Sequence, residues 1–315
     1  MGGCEARAGR RSAGARFLEQ ALEIEAVDAR SACELGFMPR IFVQATLPHS
    51  RPRVHEFERV NGRYSLHLTA PPSVGLPYGS YPRLVLAWLT TEAVRTKSPE
   101  IRLGATFSDF MYRLGLTPVT GKRGTVMRMR DQLHRLFSTT IRWTCTDEAN
   151  GRAGGRGLVI AGEHQLGWSP RDHEQRPFWS SRVVLGREFF DEITRSAVPV
   201  DLRAIRLLKR SPLALDIYVW LTYRMSYLRR PCLIPWDALR RQFGANYARL
   251  GDFRQRFLRS LVLVLGVYPR ARVSQAGRGL WLLPSPSHVG PARQLSRNRL
   301  NHWGRRTVDV LSHYG

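Results

Sequence analysis

The pattern of apolar and polar positions repeats once in the middle of the chain. A helical apolar run ends in Trp-Leu-Thr at residues 88–90, and a second run ends in the same three residues at 220–222. A shorter segment follows each run and begins at Phe107 or at Trp236. From each of these two residues, apolar positions recur at offsets of 3 and 7, with a glycine at offset 8. That spacing predicts a short helix with one apolar face and a glycine at its C-terminal end.

A third periodic segment follows in each copy. Apolar residues recur at helical spacing from Val126 to Thr140 in the first copy and from Leu250 to Val264 in the second. Two β segments come next, and a Gly-Arg-Gly-Leu turn is expected between them at residues 155–158 and 277–280. Four matching features in the same order, about 120–130 residues apart, predict a duplicated unit of three helices and a hairpin.

This order predicts an α+β fold made of tandem winged-helix domains, each with a helix-turn-helix followed by a β-hairpin wing. In such a unit the third helix enters the major groove, which is wide enough for a helix, and the wing tip reaches the neighbouring backbone. We expect a first winged-helix domain at residues 76–195 and a second at 196–284. The first would add DNA contacts and self-association, and the second would bind the specific DNA site.

The remaining segments are expected to be less regular. The first fifteen residues read as disordered, a helix is predicted from Phe17 to about Leu35, and residues 1–75 form an N-terminal region. Asn61-Gly62 lies between two apolar runs, which predicts a hairpin turn. Residues 285–315 read as a flexible basic tail.

Charge indicates the kind of partner. The 315 residues carry 49 Lys+Arg against 25 Asp+Glu, for a formal net charge of +24. A surplus this large favours a polyanion, most commonly nucleic acid. Diffuse charge on a ribosome-like or membrane-surface protein is the alternative. Nearly all the cations are arginine, which suits bidentate contacts to phosphates and bases, although a GC-rich genome would enrich arginine as well.

The basic residues fall where DNA contact is expected. With the apolar faces turned inward, the third helices and the residues just before them would offer Lys122, Arg123, Thr125, Arg128, Gln132, Arg135, Arg249, Arg254, Gln255, Arg256 and Arg259. The hairpins would offer Arg152, Arg156, Arg270, Arg272 and Arg278. We expect Trp88 and Trp220 to be core residues rather than platforms for stacked bases.

Enzyme chemistry has little support in the sequence. His173 and Arg176 match the His-x-x-Arg spacing of tyrosine recombinases, but they lie in a polar, proline-bearing stretch. The His-x-His motif of rolling-circle initiators and the phosphate-binding loop of ATPases are both absent. The four cysteines lack metal-ligand spacing, and no apolar run approaches the ~20 residues of a membrane span. We therefore expect no catalytic residue, metal, cofactor or membrane contact.

Several runs resemble the plasmid-encoded RepA-type replication initiators. They are LPYGSYPRL at residues 76–84, LAWLTTEAVRTKSPE at 86–100, KRSPLALD at 209–216, WLTYRMSYLRRP at 220–231 and QFG at 242–244. The resemblance extends over roughly residues 35–288.

The resemblance implies a cytoplasmic protein that acts on plasmid DNA. Such initiators bind repeated double-stranded sites at the origin, help to open the duplex, and recruit the host replication initiator and replicative helicase. They often repress their own promoter as dimers, which contributes to copy control, and start replication as monomers. Two alternatives stay open: a winged-helix transcription repressor without an initiator role, and a site-specific recombinase or nuclease.

Overall fold

Helices and strands are interspersed along an α+β chain, as the periodicity predicts. The computed structural model describes residues 13–147, 152–166, 181–244 and 247–290. The helices are α1 (Ala13–Ala26), α2 (Arg40–Gln44), α3 (Ser80–Thr96), α4 (Phe107–Arg113), α5 (Thr125–Phe137), α6 (Arg187–Ser196), α7 (Leu202–Leu208), α8 (Pro212–Tyr227), α9 (Trp236–Phe243) and α10 (Leu250–Val267). The strands are β1 (Leu35–Met38), β2 (Glu56–Asn61), β3 (Tyr64–Thr69), β4 (Glu100–Arg102), β5 (Thr140–Asp147), β6 (Arg152–Val159), β7 (Ala161–Gln165), β8 (Arg182–Leu185), β9 (Val198–Asp201), β10 (Cys232–Pro235), β11 (Arg272–Ala276) and β12 (Gly279–Leu283).

The repeated order of three helices is confirmed. The first copy consists of α3, α4 and α5, and the second consists of α8, α9 and α10, with a short strand, β4 or β10, after each first helix. Helices α3 and α8 are buried over most of their length and lie in the core. Trp88 packs edge-to-face on Phe110 at 5.2 Å between ring centroids, and Trp220 packs in the same way on Phe243 at 5.5 Å. Both tryptophans are therefore core residues, as predicted.

The second copy closes with a three-stranded antiparallel sheet in the order β10-β12-β11. Its hairpin turn falls at Gly277-Arg278, where the sequence predicts it. Gly279 is required beside this turn, because a Cβ there would lie 2.2 Å from the carbonyl oxygen of Ile234 on β10.

The first copy has the predicted hairpin after its third helix, β5–β6, but the hairpin joins a different sheet and its turn lies elsewhere. Strand β4 pairs with β8, and β8 pairs with β7, so the three-stranded sheet is β4-β8-β7. Strands β5 and β6 instead join β2 and β3 in a four-stranded sheet of order β2-β3-β5-β6. Residues 155–158 lie inside β6, where each pairs with a residue of β5, so the turn predicted there is wrong. The Gly-Arg-Gly-Leu match misled because its glycines do not form a turn here: neither Gly155 nor Gly157 has a positive φ, and both pair within the strand.

The N-terminal region and the tail are more ordered than the sequence suggests. The hairpin at Asn61-Gly62 is confirmed, and Gly62 takes a positive φ of 57°. Helix α1 ends at Ala26 rather than near Leu35, because Asp28 binds the backbone N–H groups of the next turn and Leu35 begins β1. The Ser31 hydroxyl also donates to Asp28 at 2.6 Å, and this bond, followed by the backbone ones, holds the pKa of Asp28 below its usual value.

Part of the segment predicted to be a flexible tail is packed. The Ser287 hydroxyl donates to the carbonyl of Thr222, and His288 hydrogen-bonds the hydroxyl of Tyr218 at 2.7 Å. The tail prediction is therefore wrong for residues 285–290. Residues 1–12 and 291–315 lie outside the described part of the chain.

Two sheets cross the predicted domain boundaries. β2 and β3 of the predicted N-terminal region share a sheet with β5 and β6, and β1 pairs with β9 of the predicted second domain. One continuous core runs from Ala21 to Leu282. Within the described ranges, no helix is long and apolar enough to cross a membrane, and no cluster of three or more His, Cys, Asp or Glu side chains could hold a metal ion.

Candidate nucleic-acid interface

Helix α10 carries one buried and one polar face. Phe253, Phe257 and Leu261 point into the core, where the two phenylalanine rings lie 5.6 Å apart. The opposite face exposes Gln255, Arg256 and Arg259. Arg249, also exposed, occupies the residue before the helix. The predicted orientation of these polar residues is therefore confirmed.

Arg254 lies at the margin of this face. Its guanidinium stands 5.3 Å from the ring centroid of Trp236 on α9, and the side chain is half-buried. A cation over an indole face is attracted by the ring quadrupole. Arg254 thus holds the second and third helices of its copy together while part of its fork still faces solvent.

The β11–β12 hairpin adds three exposed cations to the second copy. Arg272 begins β11, Arg278 occupies the turn, and Arg270 precedes the first strand. No ion pair joins a carboxylate of the described residues to these three arginines. The same is true of Arg249, Arg254, Arg256 and Arg259. Free guanidinium groups keep all their donors for an anionic ligand.

The first copy offers fewer free groups than predicted. Lys122 and Arg123 are exposed just before α5. Arg128 is exposed too, but its Nε and Nη2 donate to the carbonyl of Arg123 at 3.2 and 2.7 Å. The hydroxyl of Thr125 donates to the carbonyl of Thr117 and accepts from the N–H of Val119. Thr125 therefore holds the turn before α5 and has little left for a ligand.

Gln132 and Arg135 do not face solvent, so their predicted outward orientation is wrong. They are 4% and 8% exposed. Gln132 Oε1 accepts from the N–H of Tyr78 at 2.9 Å, and the Arg135 guanidinium lies 5.7 Å from the Tyr78 ring centroid and pairs with Asp131. The segment before α3 packs over this half of α5, which the periodicity of α5 alone does not reveal.

The two predicted wing residues of the first copy lie on a strand. Arg156 is exposed in β6, opposite Trp143 of β5. Arg152 begins the same strand, and its side chain lies outside the described residues. By sheet order, the counterpart of β11–β12 in the first copy is β7–β8, whose connection falls in the undescribed range 167–180.

A buried ionic cluster joins the two copies and was missed by the sequence reasoning. Arg83 on α3 donates from Nε and Nη2 to the two carboxylate oxygens of Asp216 on α8, both at 2.7 Å. His49 Nε2 lies 2.7 Å from Asp216 Oδ2. The other Arg83 donors reach the carbonyls of Gly79 and Leu47. A signal existed: Arg83 and Asp216 each stand beside or within a run of apolar helical residues.

The cluster is electrostatically well matched. Burial alone would raise the pKa of Asp216, but the Arg83 guanidinium and the His49 hydrogen bond outweigh it and lower that pKa. Burial also lowers the pKa of His49, against the pull of Asp216. Asp216 is thus held ionised and bidentately bound, which fixes the relative position of α3 and α8.

Comparison with known proteins identifies a family for the region that contains most of the repeat. The model of a family described as plasmid encoded RepA protein matches residues 76–238. No curated protein matches the sequence significantly. The chain is similar to a crystal structure of selenomethionine derivatives of domains 2 and 3 of RctB, with a TM-score of 0.49, 13% identity, and coverage of 80% of this chain and 99% of that one. A second structure of RctB domains 2–3 gives a TM-score of 0.45, 14% identity, and coverage of 76% and 94%.

Proposed function

This chain belongs to the family of plasmid-encoded RepA proteins, and we propose on that basis that it is a replication initiator that binds double-stranded DNA at the origin of a plasmid. The observation that carries the duplex-binding proposal is the second copy. There, a recognition-type helix and the hairpin after it expose cations that no described carboxylate neutralises.

The second copy has the element order of a winged helix. This assignment is supported by three helices with a short strand between the first two. It is also supported by a final hairpin whose last strand lies in the middle of the sheet. In such domains the third helix lies in the major groove and its exposed side chains reach base edges. Arg256 and Arg259 are one turn apart on the exposed face of α10, and an arginine fork pairs bidentately with the O6 and N7 of guanine.

The first copy is proposed to be a second, modified winged helix. Its helices follow the same order, and the β4-β8-β7 sheet matches β10-β12-β11 in strand order. With Gln132 and Arg135 buried, the DNA contact of this copy falls to Lys122, Arg123 and Arg128 at the start of α5. These residues are suited to phosphates, which fix register without reading sequence.

The proposed role extends beyond binding. The protein would occupy repeated sites, help to open the duplex, recruit the host replication initiator and replicative helicase, repress its own promoter and self-associate. No covalent step is proposed for it. Incubation with supercoiled origin DNA and Mg²⁺ tests this last point, since nicks or protein–DNA adducts would identify a recombinase or nuclease instead.

The duplex-binding proposal is tested on α10. Replacing Arg256 and Arg259 together with alanine should weaken binding to the repeats beside the gene at least tenfold, since each base contact carries about 1–3 kcal/mol of discrimination. Binding to an unrelated duplex should weaken less. Arg187→Ala on α6, another exposed helical arginine, is the matched control. Equal losses for both duplexes would remove α10 as the reader of bases.

The initiator role is separated from simple repression by plasmid maintenance. The gene with its flanking repeats should sustain a plasmid that lacks its own initiator, and the α10 double variant should not. A protein that represses its promoter but sustains no plasmid is a repressor.

A further inference from the structure

One face of the four-stranded sheet opens into a cleft that duplex binding does not use. The strand register places Tyr64, Trp143, Cys145, Gly154 and Arg156 on the same face. Farther along that face, Leu68, Ile141 and Leu158 are buried in the core. The sheet thus passes from core into an open cleft within a few residues.

The cleft has walls from three helices. Arg40 and Gln44 of α2, Glu192 of α6 and Tyr223 of α8 enclose a volume of about 450 Å³. A smaller cleft of about 200 Å³, five of whose nine lining residues carry a hydroxyl group, adjoins it through Arg40 and Tyr223. The larger volume lies within the roughly 300–1,000 Å³ typical of small-molecule sites.

An aromatic pair lines the cleft. The rings of Tyr64 and Trp143 stack with their centroids 5.1 Å apart and an angle of 17° between their planes, and both side chains are half-buried. Nearly parallel aromatic rings at a cleft wall present an edge and a face on which a planar group can stack. Stacking of a nucleobase on such rings contributes about 1–3 kcal/mol per base.

Two arginines supply donors at the same place. Arg156 is exposed beside Trp143 and pairs with no carboxylate among the described residues. Arg40 makes only a long contact of 3.5 Å to Glu192, and its buried Nε has no hydrogen-bond partner within the described structure. Glu192 already accepts a hydrogen bond from Ser196 at 2.6 Å. The cleft therefore keeps unused cationic donors next to an aromatic wall.

We propose that this cleft binds unpaired nucleotides of single-stranded DNA, with a base against the Tyr64–Trp143 pair and the adjacent phosphates on Arg156 and Arg40. Aromatic rings combined with arginines are the common equipment of single-strand grooves. A base within a duplex is stacked and paired, so only an unpaired nucleotide can enter a cleft of this size. The inference rests on the proposed function in that an opened origin would supply the strand.

Two glycines on β6 provide a matched test. A Cβ added at Gly154 would meet no atom within 4 Å, and the same holds at Gly157. Being three residues apart on one strand, they point to opposite faces: Gly154 into the cleft and Gly157 away from it. Gly154→Leu should fill the cleft without a clash, and Gly157→Leu should add the same bulk on the opposite face.

The experiment measures binding of labelled oligo(dT) to the full-length chain by fluorescence anisotropy. Gly154→Leu should weaken it at least tenfold, whereas Gly157→Leu should stay within twofold of the parent. Arg156→Gln should weaken it several-fold. In the parent, oligo(dT) should quench tryptophan fluorescence, and Trp143→Phe should remove part of that quench while the other tryptophans remain.

The same samples are titrated with the duplex repeats that flank the gene. Intact duplex binding with equal oligo(dT) affinity in both glycine variants overturns the cleft proposal and leaves the duplex proposal standing. If the parent does not bind the duplex repeats but its oligo(dT) binding still depends on Gly154, the duplex proposal alone is overturned. Competition by dTMP at the same concentration of nucleotide, or by polyglutamate at the same concentration of charge, would show that the cleft selects no strand and would overturn the inference.

Discussion

At the residue scale, the most consequential side chains are buried charges. Arg83 and Asp216 are 3% and 7% exposed and bind each other through two short hydrogen bonds. Removing one partner of such a pair leaves the other charged and desolvated, which costs about 3–5 kcal/mol.

We expect Arg83→Met to lower the free energy of unfolding by about 3–5 kcal/mol, measured by urea denaturation. The control is Arg95→Met, which breaks the exposed i,i+3 pair with Glu92 and should cost less than about 0.5 kcal/mol. A loss below 1 kcal/mol at Arg83 would show that the cluster does not hold the fold together.

His288 gives the fold a pH dependence of known sign. Burial between Tyr218 and Tyr268 lowers the pKa of His288 to about 4, against an attraction to Asp201. In the unfolded chain the same imidazole takes up a proton near pH 6.5. Since the folded pKa is depressed, this contribution is complete above pH 6.5 and is lost as the pH falls from 6.5 towards 4.

The expected loss is at most about 3 kcal/mol over that window. His288→Gln should flatten the fall in unfolding free energy, whereas His55→Gln, at an exposed position, should leave it unchanged. Burial lowers the pKa of His49 and of His164 as well, so these two histidines contribute to a residual slope. Identical slopes for the parent and His288→Gln would refute the assignment.

At the element scale, the two third helices show how far periodicity reaches. Helix α10 has one packed face, so the spacing of Phe253 and Phe257 correctly predicts that Arg256 and Arg259 are exposed. Helix α5 is covered on a second side by the segment around Tyr78, and the prediction fails for Gln132 and Arg135. Contacts from distant parts of the chain are not encoded in the spacing of one helix.

The same limit explains the hairpin of the first copy. An alternating strand can pair with several partners, and local pattern does not say whether β5–β6 joins β4 or β3. The buried ionic cluster was missed for a related reason, since a lone charge in an apolar helix reveals a need for a partner but not which partner.

The two helices therefore predict opposite outcomes for two cation deletions. Arg135→Ala should lower the free energy of unfolding by about 1–3 kcal/mol, because it leaves Asp131 and Tyr78 without their contacts, and should not change the slope of DNA binding against salt. Lys122→Ala, at an exposed position, should leave unfolding unchanged and weaken binding to every duplex alike. The reverse pattern would return Arg135 to the DNA interface.

At the scale of the whole molecule, the boundaries expected at residues 75/76 and 195/196 do not separate independent sheets. A fragment of residues 196–284 would lose β1, the partner of β9, and the packed segment 285–290. The division into domains with separate roles stays a prediction, and it is best tested with fragments that keep these partners.

The number of phosphates that the basic residues neutralise sets how duplex affinity responds to salt. If the cations of both copies neutralise about 6–10 phosphates, the logarithm of the duplex affinity should fall with the logarithm of salt concentration at a slope of roughly −5 to −9. Arg278→Ala should make the slope less steep by about one unit. A slope near zero would exclude phosphate contact as the source of affinity.

The bidentate pair between α3 and α8 has a geometric consequence for the DNA. Because the first helices of the two copies are fixed to each other, the distance between their third helices is fixed as well. The protein therefore requires a set spacing between the two DNA segments that it contacts. Half-sites one helical turn apart face the same side, at 10–10.5 base pairs per turn. Inserting about five base pairs between the two contacted segments should place them on opposite sides of the duplex, so that both copies can no longer bind at once. Inserting five more should return the segments to the same side, but one helical turn farther apart.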